Sequence, residues 1–215
     1  MAERRFGYPI VLNLAGRRAV VVGGGEVALR KARALADAGA RVRVVAPNLL
    51  PAFAEDGRFE CLAARYEKRH LEGARVVVVA TDDEAVNRQA AEDARASGAL
   101  VNVVDRPEAC DFIVPAQVRR GDLVIAIATG GAAPALAKRL RKRLEKEFGP
   151  EYATLLEVLR EVREDLKKRN VPPETRRRIF ERLAEDDMVD AARRGAEALC
   201  AAMKAVIGGI FGRRK

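Results

Sequence analysis

Two hydrophobic rhythms alternate along the first half of the chain, and a third takes over after residue 109. Residues 18–22 form a short apolar, β-branched run, the pattern of a buried strand. A glycine run follows, and residues 26–38 then place apolar side chains at helical spacing before Gly39, which suits the turn after a helix. Residues 41–45 read as a second strand, stopped by Pro47, and a less regular stretch to Gly73 holds a candidate strand near 59–62. Residues 75–80 predict a strand, 84–97 a helix and 100–104 a strand. Strands alternating with helices imply parallel βαβ units. The predicted fold class is therefore α/β, a Rossmann-type doubly wound parallel sheet covered on both faces.

Beyond residue 109 the alternation stops. Residues 123–128 form one more apolar strand, and Pro134 opens a basic helix that runs to about Phe148. After Gly149-Pro150 the spacing is helical throughout: 151–169, a turn at Val171-Pro172-Pro173, 174–183, and 189–206. The expected organisation is a Rossmann-type domain over 1–112, a central segment over 113–148 and an all-helical C-terminal domain over 149–215.

The net charge of +9 changes the picture only through its location. From Lys138 onward about 21 Lys and Arg face about 14 Asp and Glu, so the excess sits mostly in the last third. A basic surface attracts polyanions, whether nucleic acid, anionic lipid or a polycarboxylate. Many of these charges alternate with Leu, Ile and Val, as on a solvated helix face. The chain has no tryptophan, so stacking platforms for bases are scarce. Cys61, Cys110 and Cys200 are far apart and His70 is the single histidine, which excludes a clustered zinc site and suggests reduced, buried thiols and a solvated histidine. Glu3, Arg4 and Arg5 precede too short an apolar stretch for a secretory signal. The uncharged run 123–137 is interrupted by Gly130, Gly131 and Pro134 and is shorter than a bilayer span. A soluble, cytoplasmic protein is expected.

The candidate chemistry begins at Gly23-Gly24-Gly25-Glu26-Val27-Ala28, a G-x-G-x-x-A pattern between a strand and a helix. The first glycine permits the tight turn, the second lets backbone approach a pyrophosphate, and the small third residue lets helix and strand pack closely. The helix start then offers free N–H groups and partial positive charge to phosphates. No Asp or Glu ends the second strand, where NAD enzymes usually hold the ribose; Asn48 could hydrogen-bond it instead, and no arginine just beyond offers to hold a 2′-phosphate, which favours NAD over NADP. Thr81, at the end of the strand before Asp82-Asp83, is a cofactor candidate, whereas Asp83 suits a helix cap. Asp105 ends the strand of Asn102 and Val103, where a carboxylate can act as a general base or stabilise positive charge; an ordinary turn aspartate fits the same pattern. Thr129-Gly130-Gly131 before Pro134 reads equally as an anion cradle or as a plain strand-to-helix turn, with Lys138, Arg139, Arg141, Lys142 and Arg143 along the following helix.

Taken in order, these segments resemble the precorrin-2 dehydrogenases, both the stand-alone enzymes and the N-terminal module of multifunctional sirohaem synthases. The resemblance is carried by Tyr8-Pro-Ile-Val-Leu-Asn-Leu with Gly16-Arg17, Val22-Gly-Gly-Gly-Glu-Val-Ala-Leu-Arg-Lys31, Ala80-Thr-Asp-Asp83, Val101-Asn-Val-Val-Asp105, Phe112-Ile-Val-Pro115 and Ile127-Ala-Thr-Gly-Gly-Ala-Ala-Pro-Ala-Leu-Ala137. It covers residues 8–148 densely and the helical tail by length and character. It implies a homodimer whose central segment dimerises, NAD-dependent oxidation of precorrin-2 to sirohydrochlorin, cofactor contacts at Glu26, Val27, Pro47 and Asn48, and Asp105 as the catalytic aspartate. Relatives carry a serine at Thr129, near the substrate cleft. Some also insert Fe²⁺ to give sirohaem. The methyltransferase domain of the multifunctional relatives is not expected in 215 residues, so precorrin-2 would come from a separate enzyme.

A different class of function also fits a glycine loop and a basic tail: a nucleotide-sensing regulatory module whose helices bind nucleic acid or protein. No recognition-helix or aromatic RNA-binding signature accompanies it, so neither nucleic acid nor membrane is an expected partner.

Overall fold

The computed structural model describes residues 7–212, and Glu3, Arg4 and Arg5 lie outside the described residues. The chain divides between Val114 and Pro115 into two compact units. In the first, β1 (Arg18–Val22), β2 (Arg41–Ala46), β3 (Phe59–Ala63), β4 (Ala74–Val79) and β5 (Leu100–Val103) form one parallel sheet of order β3-β2-β1-β4-β5. Helices α1 (Glu26–Asp37), α2 (Pro51–Asp56) and α3 (Glu84–Ala96) connect them.

Valine-rich strands suit this sheet because both of its faces are buried. Successive residues point to opposite faces. On one side Val20, Val22, Val77, Val79, Val101 and Val103 pack on Ala90, Ala91 and Ala94 of α3. On the other, Ala19, Val21, Val42, Val44, Val76 and Val78 pack on Ala28, Leu29 and Ala32 of α1. Small alanines at the helix contacts bring both layers close to the strands. The expected α/β class and Rossmann-type sheet are what the chain forms.

Two expectations fail here. His70, read as a solvated side chain, is buried at 7% exposure. Its Nδ1 accepts the Glu67 N–H (3.0 Å), closing a capping box on a short 3-10 turn, Lys68–Leu71, and so turns the ring inward. The cysteines are not uniformly buried: Cys61 is exposed on the edge strand β3, while Cys110 and Cys200 are partly buried.

The second unit holds an antiparallel hairpin of β6 (Ala116–Arg120) and β7 (Leu123–Ile127), then α4 (Pro134–Glu147), α5 (Glu151–Lys168), α6 (Pro173–Leu183), α7 (Asp186–Arg193) and α8 (Ala196–Gly212). The single helix expected over 189–206 is two, because Gly195 adopts φ 111° and ends α7. Leu155, Ile179, Leu183, Met188, Leu199 and Met203 form its helical core. No helix among the described residues is long and apolar enough to cross a membrane.

One acid-sensitive latch joins α1 and α2 to Arg58, the residue before β3. The Arg58 guanidinium first, then that of Arg33, holds the Asp56 carboxyl down to about 2. A carboxyl lowered on folding contributes stability that is present above its unfolded value and is lost as pH falls toward the folded one. Unfolding monitored from pH 5 to pH 2 should therefore show a shallower loss of stability in Asp56→Asn than in the unaltered chain; parallel curves would contradict the latch.

Candidate active site

The strand order reverses between β1 and β4: the chain leaves β1 for β2 and β3, then returns to β4 on the opposite side. Ligands of open α/β sheets bind outside the carboxyl ends of strands at such a point. All of the candidates in the first unit lie along this edge. Gly23, Gly24, Gly25, Glu26 and Val27 follow β1; Pro47 and Asn48 follow β2; Thr81 comes two residues after β4, and Asp105 two residues after β5.

The three glycines do different jobs. Gly23 has φ 134° and donates its N–H to Val45 O (2.9 Å); a Cβ there would lie 2.2 Å from Ala80 O. A Cβ on Gly24 would lie 1.9 Å from Asn48 O, and Gly24 O accepts the Leu50 N–H (3.1 Å). These two positions bring the end of β1 against the ends of β4 and β2, with backbone carbonyls where side chains would be. Gly25 is the reverse: a Cβ there would meet nothing within 4 Å. It is the N-cap of α1 and makes no side-chain cap, so the first N–H groups of the helix stay open to a ligand. Ala28, the small third position, is fully buried against the strand layer. An open, uncapped helix start behind a residue without a side chain fits the pyrophosphate of a dinucleotide.

Asp83 caps α3, its Oδ1 accepting the N–H groups of Ala85 (2.9 Å) and Val86 (3.1 Å). The Thr81 hydroxyl donates to Asn87 Oδ1 (2.7 Å) and accepts the Asp83 N–H (3.1 Å), which ties the end of β4 to the start of α3. Pro47 and Asn48 are exposed. Asp105 is exposed and left-handed, with φ 59°.

Sequence reasoning missed Lys31. It is half-buried on α1; burial, then the neighbouring Arg30, pushes its ammonium below the ordinary range, while the charges of Cys110 and Asp105 act in the opposite direction. Lysine within a helical run looks like any solvated position, and only its place in the segment ending at Lys31 set it apart. The anchoring of the segment after Asp105 by Asn102, Cys110 and Asp111 was equally invisible.

In the second unit, Thr129, Gly130 and Gly131 form the turn from β7 to α4. Gly130 (φ 60°) and Gly131 (φ 85°) are left-handed with open space at both Cβ positions, and Thr129 Oγ1 accepts the Ala133 N–H (3.4 Å). Among the described residues no group of three or more His, Cys, Asp or Glu could hold a metal ion.

The glycine geometry separates two substitutions. Gly24→Ala drives a methyl into backbone and should lower the melting temperature clearly, a cost of roughly 1–3 kcal/mol. Gly25→Ala should leave the fold nearly intact and weaken dinucleotide binding by roughly tenfold, about 1.4 kcal/mol. Calorimetric melting with and without NAD⁺ distinguishes them; unchanged affinity in Gly25→Ala would overturn the assignment of the loop.

Comparison with known proteins gives this edge a family. Residues 10–116 match an NAD(P)-binding family model, and residues 120–147 match that of the central segment of sirohaem biosynthesis proteins. The chain is 46% identical to the sirohaem synthase of Chromobacterium violaceum over 89% of its own length and 41% of that protein. It is 43% identical to that of Azotobacter vinelandii over 80% of its length and 38% of that protein. It thus spans about two-fifths of these relatives. The solved structure of SirC, a precorrin-2 dehydrogenase, superposes with a TM-score of 0.77 at 27% identity, covering 96% of this chain and 100% of that one. With a nicotinamide-dinucleotide fold followed in order by the central segment, the chain belongs to the sirohaem biosynthesis family.

Proposed function

We propose that this chain oxidises precorrin-2 to sirohydrochlorin with NAD⁺. The observation that carries the reading is the placing of Asp105, a carboxylate in a left-handed turn, on the same sheet edge as the open N-terminus of α1. Oxidation removes a hydride and a proton from the macrocycle. Bound NAD⁺ supplies the hydride acceptor. Glu26 and Val27 bind it through their N–H groups, behind Gly23, Gly24 and Gly25. The Asp105 carboxylate takes the released proton or stabilises the positive charge that develops. Neither family models nor relatives support the regulatory alternative.

NAD⁺ is favoured over NADP⁺ because the chain just beyond β2, at Pro47 and Asn48, offers no arginine to hold a 2′-phosphate. Asn48 bonds the ribose, and Thr81 borders the cofactor. Thr129, Gly130 and Gly131 receive substrate carboxylates, with Lys138, Arg139 and Lys142 on the exposed side of α4 adding attraction. Fe²⁺ is a candidate second substrate, since Asp105 would also receive protons displaced from the pyrroles.

The parts proposed for the chain are the NAD-binding domain over 1–112, the dimerising segment over 113–148 and the helical domain over 149–215. A two-stranded hairpin is marginal alone. In β6 and β7 only Val118 is buried, and Leu136 on α4 is 41% exposed, so a second copy of this chain is the proposed cover. Light scattering after gel filtration should give twice the 23.5 kDa chain mass; a monomer at micromolar concentration would contradict it.

The activity is tested anaerobically with enzymatically made precorrin-2. NADH should appear in step with the sirohydrochlorin spectrum, with NADP⁺ a much poorer acceptor, and Fe²⁺ added afterwards tests metal insertion. Absence of NADH despite bound NAD⁺ would refute the reading. Asp105→Asn should lower kcat roughly 10²–10⁴-fold while NAD⁺ binding is kept; full activity in that variant would remove Asp105 from the reaction.

A further inference from the structure

Asp105 and Asn170 are the two non-glycine residues with positive φ among those described. A left-handed aspartate persists where its surroundings impose the conformation. The surroundings here are unusual. β5 is the edge of the sheet, so nothing beyond it in the strand order pairs with its free side. The segment after Asp105 folds back and fills that side instead. Asp111 N–H donates to Val101 O (2.9 Å), and Asp111 Oδ2 accepts the Val101 N–H (3.0 Å). Asn102, buried at 7% exposure, donates from Nδ2 to Phe112 O (2.9 Å).

The remaining contact falls to a thiol. Cys110 Sγ accepts the Val103 N–H at 3.2 Å. Its S–H is within 3.2 Å of two carbonyls, Val103 O and Arg106 O. Those carbonyls flank Asp105, one two residues before it and one directly after. The Arg106 N–H closes the turn by donating to Val103 O (3.3 Å). One side chain therefore spans the bend that carries the carboxylate, acting as acceptor on one side and donor on the other. Burial pushes the thiol pKa up, so the donor is kept at neutral pH.

We propose that Cys110 is a positioning residue for the reaction, fixing the left-handed turn that holds Asp105 at the sheet edge. The assignment rests on the proposed role of Asp105 and deepens it. Cys110 touches neither cofactor nor substrate in this role; it acts through the backbone on either side of the aspartate. Serine keeps both hydrogen-bonding functions with a shorter reach, and alanine keeps neither.

The test compares Cys110→Ala and Cys110→Ser in the full chain and in the Asp105→Asn background. Cys110→Ala should lower kcat roughly tenfold or more, as expected when a reacting group is displaced by a fraction of an ångström. KM for precorrin-2 and the NAD⁺ dissociation constant should stay within about twofold. Cys110→Ser should restore most of the rate. In Asp105→Asn, removing the thiol should cost nothing further, because the group it positions is gone. Unchanged kcat in Cys110→Ala, equal losses in the alanine and serine variants, or an undiminished effect in the Asp105→Asn background would each overturn the proposal. If the unaltered chain does not oxidise precorrin-2, the functional reading fails while the turn is still read by amide hydrogen exchange. Faster exchange at Val103 and Arg106 in Cys110→Ala, reversed in Cys110→Ser, supports the clamp, and wild-type protection in Cys110→Ala refutes it.

Discussion

The arrangement depends on the approach of backbone to backbone at the end of β1. Gly23 and Gly24 sit so close to the carbonyls of Ala80 and Asn48 that a single methyl at either would overlap them. That closeness draws the ends of β4 and β2 around β1 and leaves the start of α1 facing out between them. Interiors are packed too densely to absorb such an overlap without movement of the main chain. The valine strands and the alanine-faced helices maintain the same closeness below the edge, since larger residues at Ala28 or Ala32 would lift α1 from the sheet. Site and core are consequences of one packing distance.

Local features were legible in the sequence, and long-range ones were not. The glycine run, the strand at residues 18–22 and the cap at Asp83 each depend on neighbours within a few positions, so composition and spacing reveal them. β6 escaped because Gln117, Arg119 and Arg120 give it a polar reading, and its pairing with β7 is what makes it a strand. α2 escaped because six residues are too short for a hydrophobic period to show. The break at Gly195 was hidden by good helix formers on both sides. His70 looked solvated beside Lys68 and Arg69, yet a backbone contact three residues away buries it. The fold-back of residues 109–112 on β5 is held by main-chain contacts and by the side chains of Asn102, Cys110 and Asp111, whose pairing across the bend no residue pattern encodes.

The positive charge is partly neutralised where it is densest. In the helical unit Arg177 pairs with Glu174 and Glu181, Arg182 with Asp187, and Arg193 with Asp190 and Glu151. Most of these pairs are solvent-exposed and screened, so they order the helix surfaces more than they stabilise them. On α4, Arg141 reaches Glu145, while Lys138, Arg139, Lys142 and Arg143 stand exposed after the turn at Thr129. Such a helix attracts polyanions.

The most direct measurement is a crystal structure with NAD⁺ bound. The expected result places the pyrophosphate on the N–H groups of Glu26 and Val27 against Gly25, with the nicotinamide ring beside Asp105 at the carboxyl edge of the sheet. A pyrophosphate bound elsewhere, or a nicotinamide ring remote from Asp105, would contradict the assembly of cofactor and carboxylate on that edge.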